Sequence, residues 1–369
     1  MTARHPVVRW VAPGAAAAVL IAGGQVAMHL PASAAPKLPD RTAQQLLTDL
    51  AGAHPAGFSG TVSESTNLGL PDIAGQLPGD TATSPMSLLT GDHTLRVWYA
   101  APHSARVALM GSAGETDAIT NGTDAWLWQS ADKSVQHLRL KADPHRITTE
   151  HRKPQLNPLA SMTPKSLATW ALKMLSPTTR VTTASNVSVA GRSAYQLTFT
   201  PKTSATRVGS VSIAIDAQQH VPLRVQVFAR GADKPAINAG FTKVDFSVPA
   251  ASRFTFTPPP GSTVTQVQPA PSSQRPTPKR PVSWRTVGSG WSTVLVGRAP
   301  ASSPGAGPSG QAPSGTPDGL MQLLPRVSGA WGSGHLLKSA LFSAVITNDG
   351  RIAVGAVAPS QLYAALRHG

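Results

Sequence analysis

The sequence predicts a mainly β protein of the α+β type: one large antiparallel sheet of about ten strands, two covering helices and a small trailing α+β unit. Three observations carry that expectation. From Phe58 onward apolar residues recur at every second position, the period of a half-buried strand. Two short stretches switch to the helical period. Pro- and Gly-rich tracts punctuate the rest, in keeping with 34 Pro and 32 Gly in 369 residues.

The first helix is expected over Asp40 to Ala53, where Ala43, Leu46, Leu47 and Leu50 fall at i, i+3, i+4 and i+7, with Asp40 as cap. Strands follow. Leu95, Val97 and Tyr99 alternate with Arg96, Trp98 and Ala100; Trp126 and Trp128 share a side, followed by Val135 and Leu138 on the next run. Residues 141–165 break the pattern with Lys, Arg and His among prolines. The second helix starts at Thr163-Pro164 and presents Leu167, Trp170, Ala171 and Met174 on one face. Strands resume with Val187 and Val189, then Tyr195, Leu197 and Phe199, then Val211, Ile213 and Ile215, then Leu223, Val225 and Val227, then Phe241 to Val248. Phe254 and Phe256 make a last strand, and Pro258, Pro259 and Pro260 remove the donors that further pairing needs, so the sheet ends there.

A sheet of that size is strongly curved and apolar on one face, and two short helices cannot fill it. The expectation is an internal cavity or a missing partner. After a Pro/Gln/Ser/Thr/Arg linker at 267–282, the unit at 283–369 reads as a strand near Trp284–Val296, a helix near Leu320–Val327, a hairpin from Leu336–Thr347 to Ile352–Val357 across Asn348-Asp349-Gly350, and a short helix at Ser360–Arg367. The tract 299–317 reads as a disordered loop.

Residues 1–34 have the form of a signal peptide. Arg4 and Arg9 precede an apolar stretch, and Ala32-Ser33-Ala34 fits a cleavage site after Ala34. An uncleaved anchor is the alternative, and both place the bulk outside the cytoplasmic membrane. There is no Cys, which excludes disulfides, thiolate chemistry and acylation at an N-terminal Cys. The net charge is +15, and residues 267–369 hold nine basic against two acidic side chains. An exported basic protein suits an anionic partner such as a membrane surface, and export argues against nucleic acid.

Two segments carry a family resemblance. Phe254-Thr255-Phe256-Thr257-Pro258-Pro259, with Gly261 and Val264, resembles the terminal strand of bacterial LolA-type lipoprotein carriers and the related RseB/MucB envelope-stress regulators. Thr120-Asn121-Gly122-Thr123-Asp124-Ala125-Trp126-Leu127-Trp128 resembles their central hairpin. With the matching order of helices and strands, the resemblance covers residues 35–266. It implies a half-open antiparallel β-barrel with a helical lid over a hydrophobic cavity, and lipid or lipoprotein acyl chains as cargo. Ala101-Pro102 stands where the carriers have Arg-Pro, so their arginine-held lid is not implied. The trailing unit is similar in placement to the RseB/MucB arrangement, which implies a membrane anti-sigma factor as an alternative partner.

No enzyme constellation is present. The eleven His lack the spacing of HExxH, there is no GxSxG, and the GxGxxG at 305–310 lies in low-complexity sequence with no strand before it. The reading is a non-enzymatic binding protein without metal or cofactor. Its candidate acyl cavity is Leu95, Val97, Tyr99, Trp126 and Trp128 from the first strands, with Leu197, Phe199, Ile213, Ile215, Val225 and Val227 from the later ones. Leu46, Leu50, Trp170 and Met174 are the candidate lid contacts. Asp216 and Asp245 read as solvated strand ends.

Overall fold

The computed structural model describes residues 38–70, 87–111, 114–139, 164–267, 284–298 and 324–367. The signal-peptide segment, most of the basic tract at 141–165, the helix start at Thr163 and the loop at 299–317 lie outside the described residues.

Helix α1 (Ala43–Gly52) leads into a meander of β1 (Gly57–Thr66), β2 (Gly91–Ala100), β3 (Ser104–Gly111), β4 (Gly114–Asn121), β5 (Asp124–Gln129) and β6 (Ser134–Arg139). Helix α2 (Pro164–Leu175) precedes a second meander of β7 (Thr179–Val189), β8 (Arg192–Pro201), β9 (Val208–Asp216), β10 (Pro222–Ala229) and β11 (Pro235–Asp245). Antiparallel pairing of β1 with β11, from Ser59 opposite Asp245 to Thr66 opposite Ile237, joins the two meanders into one sheet. Bulges at Thr61/Val62, Ala184/Val187, Pro222/Arg224 and Val227/Phe228 add local twist, which bends the sheet strongly.

The expected barrel of about ten strands is corrected. Twelve strands form one sheet among the described residues, with β12 (Thr263–Val267) and β7 at its two edges, and the sheet is not closed. The expected terminal strand is also corrected. Ala251–Phe254 is a turn of 3-10 helix, and the prolines carry the chain across the sheet rather than ending it. β12 then pairs parallel with β6, Thr263 opposite Ser134 through Val267 opposite Leu138. The three prolines forbid pairing only where they stand, and the first residues beyond them pair again.

At α1 the cap is Thr42, not Asp40. Its hydroxyl accepts from the Gln45 N–H at 3.2 Å while the Gln45 side chain accepts from the Thr42 N–H at 2.8 Å, a reciprocal capping box. Asp40 instead accepts from the Ser185 hydroxyl at 3.1 Å, tying the approach to α1 onto β7.

The second sheet has the order β13-β14-β18-β17-β16-β15, with β13 (Arg285–Val287), β14 (Val294–Arg298), β15 (Arg326–Gly329), β16 (Gly332–Lys338), β17 (Ser343–Thr347) and β18 (Arg351–Gly355). Helix α3 (Pro359–Arg367) packs Leu362, Ala365 and Leu366 against Val294, Val345 and Ala353. The turn at Asn348-Asp349-Gly350 joins β17 to β18, with Gly350 at φ 83°. Three expectations change here. Trp284–Val296 is two strands split by a 3-10 turn at Gly290–Ser292; Arg326 and Val327 are strand, not helix; and Leu336 belongs to β16, a strand separate from β17. Each comes from turns made by Ser and Gly, which local apolar periodicity does not register.

The two sheets are bonded together. The Arg207 N–H donates to the Ala356 carbonyl at 2.7 Å and the Arg207 Nε to the Ser339 carbonyl at 2.9 Å. Gln361 Nε2 reaches the Ala205 carbonyl at 2.8 Å, and Trp291 Nε1 reaches Thr179 Oγ1 at 2.8 Å. Leu68, Val208, Ala236 and Leu341 form a buried apolar patch between the two sheets.

Candidate functional site

Residues directly opposite in neighbouring strands share a face, so the register sorts the candidate residues. Leu197 stands opposite Ile213, Ile213 opposite Val225, and Val225 opposite Ala239. Phe199, Val211, Val227 and Ile237 form the next row, and Tyr195 with Ile215 the row on the other side. Helix α1 covers this face. Leu46, Leu197 and Ile215 are fully buried together, with Leu47, Leu50, Phe199 and Ile213 packed around them.

The same face continues into β1 and β2. Phe58 stands opposite Tyr99, Gly60 opposite Val97 and Val62 opposite Leu95. These residues meet Leu109, Leu223, Ala239 and Phe241 in one buried cluster. Gly60 is glycine for a reason of space: a methyl group there would lie 2.8 Å from the Phe241 ring. One acid sits in this apolar row. Glu64 is fully buried, opposite Ala239, and accepts from the Thr66 hydroxyl.

Trp126 and Trp128 do not belong to that face. Leu95 stands opposite Leu109, Leu109 opposite Thr116, and Thr116 opposite Gln129. Both tryptophans are therefore out of phase with Leu95 and lie on the reverse face. There Phe256 packs on Trp126 and Trp128 with ring centroids at 5.5 and 6.2 Å, and Phe254 is buried beside them. The buried residues of β6 are Val135 and His137, while Leu138 is only partly buried. His137 stacks on Trp126 at 3.5 Å and shares a 2.6 Å hydrogen bond with Asp124. That hydrogen bond, with a second from Thr123, holds the Asp124 carboxyl below its ordinary pKa. The segment 251–256 thus seals a satellite core on the reverse face.

The lid residues divide as well. Leu46 is fully buried and Leu50 partly buried. Met174 is 61% exposed and is not part of the cluster under α1. Trp170 lies on α2, outside the described side chains. Helix α2 rests on α1, where Gln44 Nε2 donates to Thr169 Oγ1 at 2.9 Å. The approach to α1 hangs on β7 and β8: the Leu38 N–H donates to the Ser185 carbonyl at 2.9 Å, and the Tyr195 hydroxyl to the Pro39 carbonyl at 3.0 Å.

Asp216 is not a solvated strand end. It is fully buried and paired with Arg192, and it accepts from the N–H groups of Gln218 and Gln219 at 2.9 and 2.7 Å. Burial alone would raise its carboxyl pKa; the Arg192 guanidinium and the two N–H donors outweigh burial and hold it below the ordinary value. Among the described residues, no three His, Asp or Glu stand close enough to hold a metal ion, and no helix is long and apolar enough to cross a membrane.

Sequence reasoning passed over Arg224, Gln226 and Asn238, which line a cleft on the reverse face of β10 and β11. In strand alternation they look like solvated positions. The signal that could have found them is Gly240, a glycine inside a strand, which marks a close approach.

No protein-family model matches the chain, and no curated protein matches it. Solved structures do resemble it. A chain of the Pseudomonas aeruginosa MucA/MucB complex is 15% identical over 88% of this chain and 96% of its own, with a TM-score of 0.42. A LolA superfamily protein from Nitrosomonas europaea is 13% identical over 59% of this chain and 99% of its own, TM-score 0.23. A putative outer membrane lipoprotein-sorting protein domain from Vibrio parahaemolyticus is 9% identical over 58% and 97%, TM-score 0.22. These likenesses are distant.

Proposed function

We propose that the chain is a non-catalytic, extracytoplasmic binding protein that takes lipid or lipoprotein acyl chains onto the face now covered by α1. The observation that carries this reading is the thinness of the described cover on β8 and β9. A single ten-residue helix, anchored at its start, lies over the row Tyr195, Leu197, Ile213 and Ile215. A helix that short is marginal in water and holds its place by packing.

The magnitudes favour exchange. Lifting Leu46, Leu47 and Leu50 off the sheet costs on the order of 5 kcal/mol, at about 1.5–3 kcal/mol for each fully buried side chain and less for the two partly buried ones. An acyl chain of about a dozen methylenes returns on the order of 10 kcal/mol gross, at about 0.8 kcal/mol per CH₂. Association and ordering remove several kcal/mol of that surplus. The outcome is binding that reverses, as handing over a cargo requires. Leu95, Val97, Tyr99, Val225 and Val227 extend the same face and accommodate the far end of a chain, while Trp126 and Trp128 have no part in it.

The test is uptake of a fluorescent fatty acid by the full chain, with mass spectrometry of the protein purified from its native host. Saturable uptake and co-purified lipid support the reading. Absence of both overturns it.

A second reading has its own observation. The residues that precede β9 are gripped by the second sheet through Ala205, Thr206 and Arg207, and β9 carries Ile213 and Ile215 under α1. A regulator of the RseB type would use this junction, with acyl occupancy altering what the unit at 283–369 presents to a membrane partner. Its test is whether added fatty acid changes protection from hydrogen exchange in β16 to β18; no change there removes it.

A further inference from the structure

On the face of the sheet turned away from α1 lies a cleft of ≈ 340 Å³. Ser63, Gly240 and Arg224 stand opposite one another across three neighbouring strands, with Asn238 opposite Gln226 two positions along. The end of β7 and its turn bring Ser188, Val189 and Ala190 to the rim. Among the described residues, one cation and no carboxylate line the cleft.

Arg224 is the anomaly. It is half-buried, yet its guanidinium makes no hydrogen bond or ion pair with any described residue. Other partly buried arginines of this chain are matched: Arg106 with Asp117, Arg192 with Asp216, and Arg207 with the Ser339 carbonyl. Burial pushes the Arg224 guanidinium below its ordinary pKa. A guanidinium partly stripped of water and left without an acceptor is costly, and an oxyanion is its natural complement. Asn238 Oδ1 is also buried without a partner among the described residues, and it requires a donor.

The strand next door is shaped around this side chain. A methyl group at position 240 would lie 2.9 Å from Arg224 Cγ and 3.0 Å from its Cβ, so the arginine stem lies flat across Gly240. Gly240 is not among the positive-φ glycines, so its backbone does not require glycine. The glycine is there to let the stem cross and aim its head along the cleft.

We propose that this cleft binds a small phosphorylated polyol, its phosphate on Arg224 and an adjacent hydroxyl donating to Asn238 Oδ1. Phosphate fits better than carboxylate, because the Gln226 amide and the Ser188 hydroxyl add donors around the guanidinium and a phosphate monoester has three free oxygens to accept them. A cleft of this volume is at the small end of ligand sites and suits a head-group-sized solute. The same chemistry comes either as a free solute or as a lipid head group. The cleft borders the buried cluster of β1, β2 and β11 through Phe241, Val189 and Ala190, and a water-soluble probe separates phosphate binding from acyl binding.

The experiment titrates glycerol 3-phosphate into the full chain by calorimetry, with inorganic phosphate as the partial probe. Vesicles of phosphatidylcholine with and without phosphatidylglycerol supply the head group in lipid form. Saturable binding of glycerol 3-phosphate is expected, weakened about tenfold or more in Arg224→Gln and in Gly240→Val, with the melting temperature of Arg224→Gln not lowered. Vesicle binding that needs phosphatidylglycerol and Arg224 assigns the lipid form; binding of the solute alone assigns the free form. No saturable binding by wild type, or equal binding by Arg224→Gln, overturns the proposal. Inorganic phosphate binding as tightly as glycerol 3-phosphate removes the Asn238 contact.

Discussion

Beneath α1 the sheet's Tyr195, Leu197 and Ile215 pack with Leu46 in one cluster, whereas on the reverse face at β10 and β11 an arginine and an amide oxygen have no partner among the described residues. Leu46, Leu197 and Ile215 are fully buried in one cluster, while Arg224 and Asn238 line a cleft with no carboxylate among its described walls. The difference teaches where to look for two kinds of ligand. An apolar face loses nothing by being filled with its own helix until a better hydrocarbon arrives, so its site is latent and covered. A polar group cannot be satisfied by collapse, so its site stays open and visible.

The comparison breaks first at Leu46. Leu46→Ala leaves a cavity in a packed cluster and should cost about 2–4 kcal/mol in denaturant unfolding. The same variant should take up fatty acid at least as tightly as wild type, because the helix is easier to displace. If uptake falls along with stability, Leu46 is plain core and α1 is no lid.

Asp216 comes next. Asp216→Asn strands the Arg192 guanidinium and should cost about 1–3 kcal/mol at neutral pH. The folded-state carboxyl has a pKa below its unfolded value, so its stabilisation is complete above the ordinary carboxylate range and disappears as the pH falls through the depressed value. The gap between variant and wild type should therefore close on acidification. A gap that is constant with pH in thermal melts would mean the pair contributes through packing alone.

The smallest effect is expected at Arg224. Arg224→Gln removes a half-buried charge with no described partner, so stability should change by no more than about 0.5 kcal/mol, or rise. A loss of 2 kcal/mol or more in the same unfolding assay would show the arginine to be part of the fold, and the contrast between the two faces would vanish.

Much of this architecture is legible in the residues. Period-two rows such as Tyr195, Leu197 and Phe199 locate the strands because alternation is local. The helical period of Ala43, Leu46, Leu47 and Leu50 does the same for α1. What is not legible depends on register. Whether Trp126 lies on the face of Leu95 is decided by pairings through β3 and β4, and any odd offset across three turns reverses it. The strand at Thr263–Val267 hides behind three prolines, whose local veto on pairing looks like the end of the sheet. Arg224 hides in the polar half of an alternating strand. Nothing in strand alternation separates a solvated arginine from one aimed into a cleft, apart from the glycine it crosses.

The central claim is that α1 must leave the sheet, its hydrogen-bonded approach at Leu38 to Asp40 releasing with it, for an acyl chain to enter. The chain has no cysteine, so a disulfide built between positions 40 and 185, whose side chains are already hydrogen-bonded at 3.1 Å, is unambiguous. Uptake of a fluorescent fatty acid by Asp40→Cys/Ser185→Cys should be lost on oxidation and return on reduction. Equal uptake by the oxidised and reduced protein would contradict the account.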